Sequence, residues 1–130
     1  MPHDFEHEID VRFRDCDVMG HVNNAVYLTY LEQARVETWQ RMTGLTGFPQ
    51  NVILARVEID YRSPATLGDR LVVRLRVAAV GRTSFTLDCE IVNVSTGQLV
   101  ASARTVQVMY DYAVARPFEI PADIRARLGG

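Results

Sequence analysis

Residues 12–35 read Arg12-Phe13-Arg14-Asp15-Cys16-Asp17-Val18-Met19-Gly20-His21-Val22-Asn23-Asn24-Ala25-Val26-Tyr27-Leu28-Thr29-Tyr30-Leu31-Glu32-Gln33-Ala34-Arg35, and within them the hydrophobic period changes. Upstream, residues 6–13 alternate: Ile9, Val11 and Phe13 share one parity, with Glu8, Asp10 and Arg12 between them. That is the pattern of a half-buried strand. The polar, glycine-interrupted run from Arg14 to His21 reads as a loop. From Asn23 onward Tyr27, Tyr30, Leu31, Ala34, Thr38, Trp39 and Met42 recur at helical spacing. Asn23 or Asn24 can cap this helix with a side-chain oxygen, and Gly44 can end it in the left-handed conformation. The spacing predicts one amphipathic helix of about five turns. Glu37 stands four residues before Arg41, a favourable pair on an exposed face.

Beyond Gly47 and Pro49 the period returns to two. Ile53, Ala55, Val57, Ile59 and Tyr61 form one set, and Pro64 with Gly68-Asp69 turns the chain. Leu71, Val73, Leu75 and Val77 form the next, closed by Gly81. Phe85, Leu87, Cys89 and Ile91 follow, then the hairpin signal Ser95-Thr96-Gly97 and a long strand from about Leu99 to Tyr110. Pro121 opens a short terminal helix, Ala122 to Leu128. Consecutive antiparallel strands with one apolar face need a cover, and one helix is long enough to supply it. The expected fold is α+β: a curved antiparallel sheet of about five strands wrapped around one long helix, in a single domain over residues 1–130.

Composition narrows the function. The chain has 130 residues, 48% hydrophobic and 23% charged, as a globular domain requires. Net charge is −2, and all 14 basic residues are arginine, so no basic excess points to nucleic acid. No run reaches the roughly 18 apolar residues of a membrane span, and Met1-Pro2-His3-Asp4 offers no apolar leader segment. Two cysteines, Cys16 and Cys89, are too few for a disulfide framework. A cytoplasmic protein is the expectation.

The chemistry concentrates at the start of the helix. Asp17 precedes a helix N-terminus, where unpaired N–H groups and a partial positive charge gather. Such donors can hold a polarised carbonyl oxygen, and a carboxylate beside it can attack the carbonyl or activate a water. Gly20 lets the backbone approach a substrate. Asp15 is expected to hold the loop. His21 is expected to position substrate or the loop, Asn23 and Asn24 to cap the helix. Tyr27, mainly core, can also line a pocket.

The string Asp15-x-Asp17-x-x-Gly20-His21-Val22-Asn23-Asn24, with Tyr27-x-x-Tyr30 and Glu32-x-x-Arg35, resembles the signature of the 4-hydroxybenzoyl-CoA thioesterase-like branch of the hotdog superfamily. Asp60-Tyr61-Arg62-Ser63-Pro64, Gly68-Asp69, Gly81-Arg82-Thr83-Ser84-Phe85, Pro117 and Ile120-Pro121 resemble it further along. The resemblance implies a hotdog fold, a homodimer often paired again into a homotetramer, and acyl-CoA thioester hydrolysis without metal or other cofactor. It places the catalytic carboxylate on Asp17 and the oxyanion donor on the backbone N–H near Asn24. It implies an acyl pocket completed by the partner's strand near Val57, Ile59 and Tyr61. Arg82 and Ser84, after the Gly81 turn, are then the preferred contacts for coenzyme A phosphates. Some relatives carry histidine where this chain has Asn24; here the histidine is His21. The alternatives are a hotdog dehydratase or hydratase, which needs an acid/base pair such as His21 with Asp17, a non-catalytic acyl-CoA or acyl-carrier-protein binding module, and a cystatin-like interaction domain, in which the aspartate string would serve no purpose.

Overall fold

A computed structural model describes residues 5–47 and 49–129. Strand β1 (Phe5–Asp10) leads through a short 3-10 turn at Phe13–Asp15 into helix α1 (Asn24–Thr43). Strands β2 (Val52–Tyr61), β3 (Arg70–Val80), β4 (Ser84–Asn93) and β5 (Leu99–Asp111) follow, then the two-residue β6 (Arg116–Pro117) and helix α2 (Ala122–Leu128). Every pairing is antiparallel, in the order β1-β3-β4-β5-β2, with β6 added to β5. This is the expected sheet about one long helix. The leader reading rested on Met1 to Asp4, which lie outside the described residues.

Helix α1 forms where its apolar spacing and its ends predict. Asn23 caps it, its side chain accepting the Ala25 N–H at 2.9 Å. Gly44 closes it at φ 72°, where a side chain would be strained. Tyr27, Tyr30, Leu31, Ala34, Thr38, Trp39 and Met42 are its buried residues. They meet Leu71, Val73 and Leu75 of β3 and Phe85, Leu87, Cys89 and Ile91 of β4 in one core. Fully burying a side chain such as Leu31 or Leu75 stabilises by roughly 1.5–3 kcal/mol. Cys89 belongs to this core, and burial pushes its thiol up to about 12.

Three local expectations fail. The first strand ends at Asp10 rather than Phe13: the Val11 N–H leaves the β1 ladder to donate to the Asp69 carbonyl. The following turn leaves Phe13 83% exposed. Glu37 turns to His7, 2.5 Å away, instead of serving Arg41, whose guanidinium reaches the Glu6 carbonyl at 3.4 Å. In β2 the register passes from Leu54–Gln107 to Arg56–Val106, leaving Ala55 as an extra residue. Directly opposed residues share a sheet face. Val57, Ile59 and Tyr61 therefore continue on the inner side as Leu54 and Val52, not as Ile53 and Ala55.

Candidate active site

The loop carrying Asp17 is a small hairpin. An isolated bridge joins Cys16 to Val22. The Asp17 N–H donates to the His21 carbonyl at 2.8 Å, and the Gly20 N–H donates back to the Asp17 carbonyl at 3.0 Å. Gly20 sits at φ 78°, which explains a glycine there. The Asp17 Oδ1 accepts the Met19 N–H at 2.9 Å. Among the described residues no donor meets Oδ2, and the side chain is exposed. The loop is held from outside as well: the Val22 N–H donates to the Ala65 carbonyl at 2.8 Å and the Asn23 N–H to the Asp15 carbonyl at 2.9 Å.

Asp15 has a different task. It is 5% exposed and accepts the Arg12 N–H at 3.0 Å and the Tyr30 hydroxyl at 2.7 Å. Burial opposes its ionisation, but those two bonds and the guanidinium groups of Arg12 and Arg14 outweigh it, so the carboxyl titrates below its ordinary value. Burial, then the bond to Asp15, pushes the Tyr30 hydroxyl well up. The pair staples the loop to α1, as expected of Asp15.

At the helix start the donors are distributed unevenly. Ala25 N–H is taken by the Asn23 side chain and Val26 N–H by the Asn23 carbonyl. Among the described residues no acceptor faces the Asn24 N–H. It is the free donor at the positive end of the helix dipole. Tyr61 closes this corner, its hydroxyl donating to the Asn24 carbonyl at 3.0 Å. Its ring lies 5.4 Å from that of Tyr27, whose oxygen accepts the Ala65 N–H at 3.2 Å. Burial raises the Tyr27 hydroxyl above its usual range.

These groups line a cleft of about 290 Å³. The loop and helix supply Asp17, His21, Val22, Asn24 and Tyr27; the end of β2 and the residues after it supply Tyr61, Arg62, Ser63 and Pro64. Four of the residues proposed from sequence, Asp17, His21, Asn24 and Tyr27, thus come together. Gly20 and Asn23 flank the cleft within the same loop and cap. Val57 and Ile59 lie along β2 on the inner face, half-buried, and stop short of it. Arg82 and Ser84 are not brought to it: they sit at the β3–β4 turn, where the Arg82 carbonyl accepts the Ile120 N–H at 2.9 Å. The cleft lies toward the Arg70 end of β3, and eleven residues of strand span roughly 35 Å. Tyr61, expected to serve the partner's pocket, lines this copy's own cleft together with Arg62, and the alternation through Val57 and Ile59 already carried it onto this face; Ser63 and Pro64 were missed as site residues.

The profile of the thioesterase-like superfamily matches residues 11–128. The long-chain acyl-CoA thioesterase FadM of Escherichia coli is 31% identical, over 93% of this chain and 94% of FadM. A thioesterase of Thermus thermophilus, solved with coenzyme A and zinc, superposes with a TM-score of 0.86 at 34% identity, over 98% of this chain and 99% of that one. A 1,4-dihydroxy-2-naphthoyl-CoA thioesterase from Synechocystis superposes at 0.84 with 26% identity, over 96% and 95%. With residues 11–128 matched and the sheet-wrapped helix in place, this chain belongs to the thioesterase-like superfamily, as a hotdog-fold thioester hydrolase of the 4-hydroxybenzoyl-CoA thioesterase-like branch.

Proposed function

We propose that the protein hydrolyses an acyl-CoA thioester to the free acid and coenzyme A, with Asp17 as the reacting carboxylate and the Asn24 N–H as oxyanion donor. One observation carries this reading. A carboxylate with an unengaged oxygen and an unengaged helix N–H open onto the same cleft. The thioester carbonyl oxygen accepts from Asn24 N–H, which polarises the carbon. Asp17 then attacks that carbon, forming a mixed anhydride that water cleaves, or takes a proton from a water that attacks it. On either route the C–S bond breaks, the sulfur leaves with the bonding pair and collects a proton, and the acyl group gains a water oxygen. The helix dipole favours the negative charge that gathers on the carbonyl oxygen. Gly20 and His21 shape the loop side of the cleft, Tyr27 its floor, and Asn23 keeps the helix start in place.

The test is thiol release from short, long and aromatic acyl-CoAs by wild type and Asp17→Asn. A loss of about 100-fold or more, the scale of general acid–base catalysis, is expected for the variant. Equal activity refutes the mechanism. A wild type that binds acyl-CoA and cleaves none of the panel leaves the binding module or the dehydratase in its place.

The working unit in this proposal is a homodimer, alone or paired into a homotetramer. Strand β2 hydrogen-bonds only to β5, and its other edge is unpaired among the described residues, an invitation to a second copy. Two-fold pairing of β2 edges brings the far end of one sheet toward the near end of the other. Val57, Ile59, Arg82 and Ser84 then serve the cleft of the second copy, the last two at its phosphates. Specific activity is therefore expected to fall on dilution in step with dissociation measured by sedimentation. Full activity in a demonstrably monomeric sample sinks the claim. Among the described residues no helix is long and apolar enough to cross a membrane, and both cysteines are free, which accords with a cytoplasmic setting.

A further inference from the structure

A second cavity, of about 240 Å³, lies between the later half of α1 and the inner face of the sheet. Its walls are largely apolar, with Trp39, Met42, Leu54 and Phe85 among them. Four polar side chains break that lining, Glu32, Arg35, Thr38 and Gln107; Thr38 is bonded to His7, Arg35 is only weakly paired, and Gln107 keeps an orphaned acceptor. The Arg35 side chain is 13% exposed, and its nearest carboxylate is the exposed Glu32, 3.9 Å away. Among the described residues it has no hydrogen bond. Gln107 is 4% exposed; its Nε2 donates to the Thr105 hydroxyl at 2.6 Å, while its Oε1 is buried with no donor. Buried polar groups are ordinarily paired, and a buried cation especially so. An orphaned acceptor beside a weakly paired guanidinium at one cavity asks for a ligand that supplies the missing groups.

The cleft and this cavity share an axis. Asn24, Leu28, Glu32 and Val36 recur at every fourth residue, so they lie on one face of α1. Strand β2 returns along the same line, with Leu54 in the cavity wall and Tyr61 in the cleft wall. From Asn24 to Arg35 the helix advances about 16 Å, the reach of roughly a dozen extended carbons.

We infer, resting on the acyl-CoA reading above, that the cavity receives the far end of the acyl group, and that the substrate class is an acyl chain carrying an oxygen function there, a hydroxyl or a carboxylate. A hydroxyl oxygen accepts from Arg35 while its hydrogen is donated to Gln107 Oε1. A carboxylate accepts from Arg35 and from Gln107 Nε2, with the amide turned over so that Oε1 accepts from Thr105, an exchange that leaves the two terminal atoms in nearly the same positions.

The experiment compares kcat/KM for dodecanoyl-CoA, 12-hydroxydodecanoyl-CoA and the mono-CoA thioester of dodecanedioic acid, with wild type, Arg35→Met and Gln107→Leu. At least one oxygen-terminated substrate is expected to exceed dodecanoyl-CoA by about 10-fold in wild type, the scale of a hydrogen bond to a charged group. That ratio is expected to collapse toward one in Arg35→Met and to fall in Gln107→Leu. Which oxygen-terminated substrate leads separates hydroxyl from carboxylate. Equal rates for all three in wild type, or a preference that survives in both variants, overturns the inference. The wild-type ratio decides even where a variant fails to fold. If the wild type cleaves other acyl-CoAs but none of these three, this inference fails alone; if it cleaves no acyl-CoA at all, the thioesterase reading fails with it.

Discussion

Replacing Tyr30 by phenylalanine removes one hydroxyl from the staple between α1 and the Asp17 loop. That hydroxyl donates at 2.7 Å to Asp15, a carboxylate only 5% exposed, and Asp15 keeps one other hydrogen bond, from the Arg12 N–H. A hydrogen bond to a buried charged group contributes about 1.5–3 kcal/mol, so the variant is expected to lose about that much at pH 7. At roughly 4 °C per kcal/mol for a chain of this size, Tm falls by about 6–12 °C at matched protein concentration. The pH dependence has a definite sign. Asp15 titrates below its ordinary value in the folded protein, so its contribution is fully present above the unfolded value, about 3.9, and is lost as pH falls through the lower folded one. Without Tyr30 the carboxyl moves back toward the ordinary range and has less to lose. The gap between wild type and Tyr30→Phe should therefore be constant near neutrality and narrow below about pH 4. Urea unfolding at pH 7 and at a series of acid pH values measures it. A neutral-pH difference under about 0.5 kcal/mol, or a gap that widens in acid, refutes the role given to the pair.

Asn23→Ala removes the cap on Ala25 N–H and is expected to destabilise by about 1 kcal/mol, read from the urea midpoint; an unchanged midpoint contradicts the capping bond. His7 is buried between Glu37 and Thr38, and burial lowers its pKa despite the Glu37 hydrogen bond, with Arg41 acting in the same direction as burial. Its contribution to stability is therefore present above the unfolded value, about 6.5, and lost as pH falls. Unfolding free energy measured from pH 7.5 down to 5 should decline in wild type more steeply than in His7→Gln, and parallel curves would refute this.

Much of the fold was legible because its signals are local. The seven buried positions of α1, the Asn23 cap, the Gly44 stop and the bounds of α2 each depend on residues within a turn or two. Asp17 was legible for the same reason, since the helix start that gives it a use lies only a few residues on. What escaped reading depends on partners distant in sequence. Phe13 keeps the parity of Ile9 and Val11, but a hydrogen bond from Val11 to Asp69 pulls the chain off the sheet before Phe13 is reached. His7 shares the parity of Ile9 and is buried; polarity hid it, and only the Glu37 and Thr38 side chains on α1 make it acceptable inside. Arg35 and Gln107 lie far apart in the chain, and nothing in their spacing announces a common cavity. The placement of Arg82 and Ser84 away from Asp17 follows from strand length, which fixes distance within one copy and says nothing of a second.

The extra residue at Ala55 acts as a phase shift. A strand presents every second residue to one side, so ten residues in strict alternation with Val57, Ile59 and Tyr61 inward would turn Leu54 and Val52 to solvent. One unpaired position resets the count midway, and both halves of the strand then address the same helix. Deleting it would not merely shorten β2; it would force the chain to choose which end of the substrate path keeps its wall.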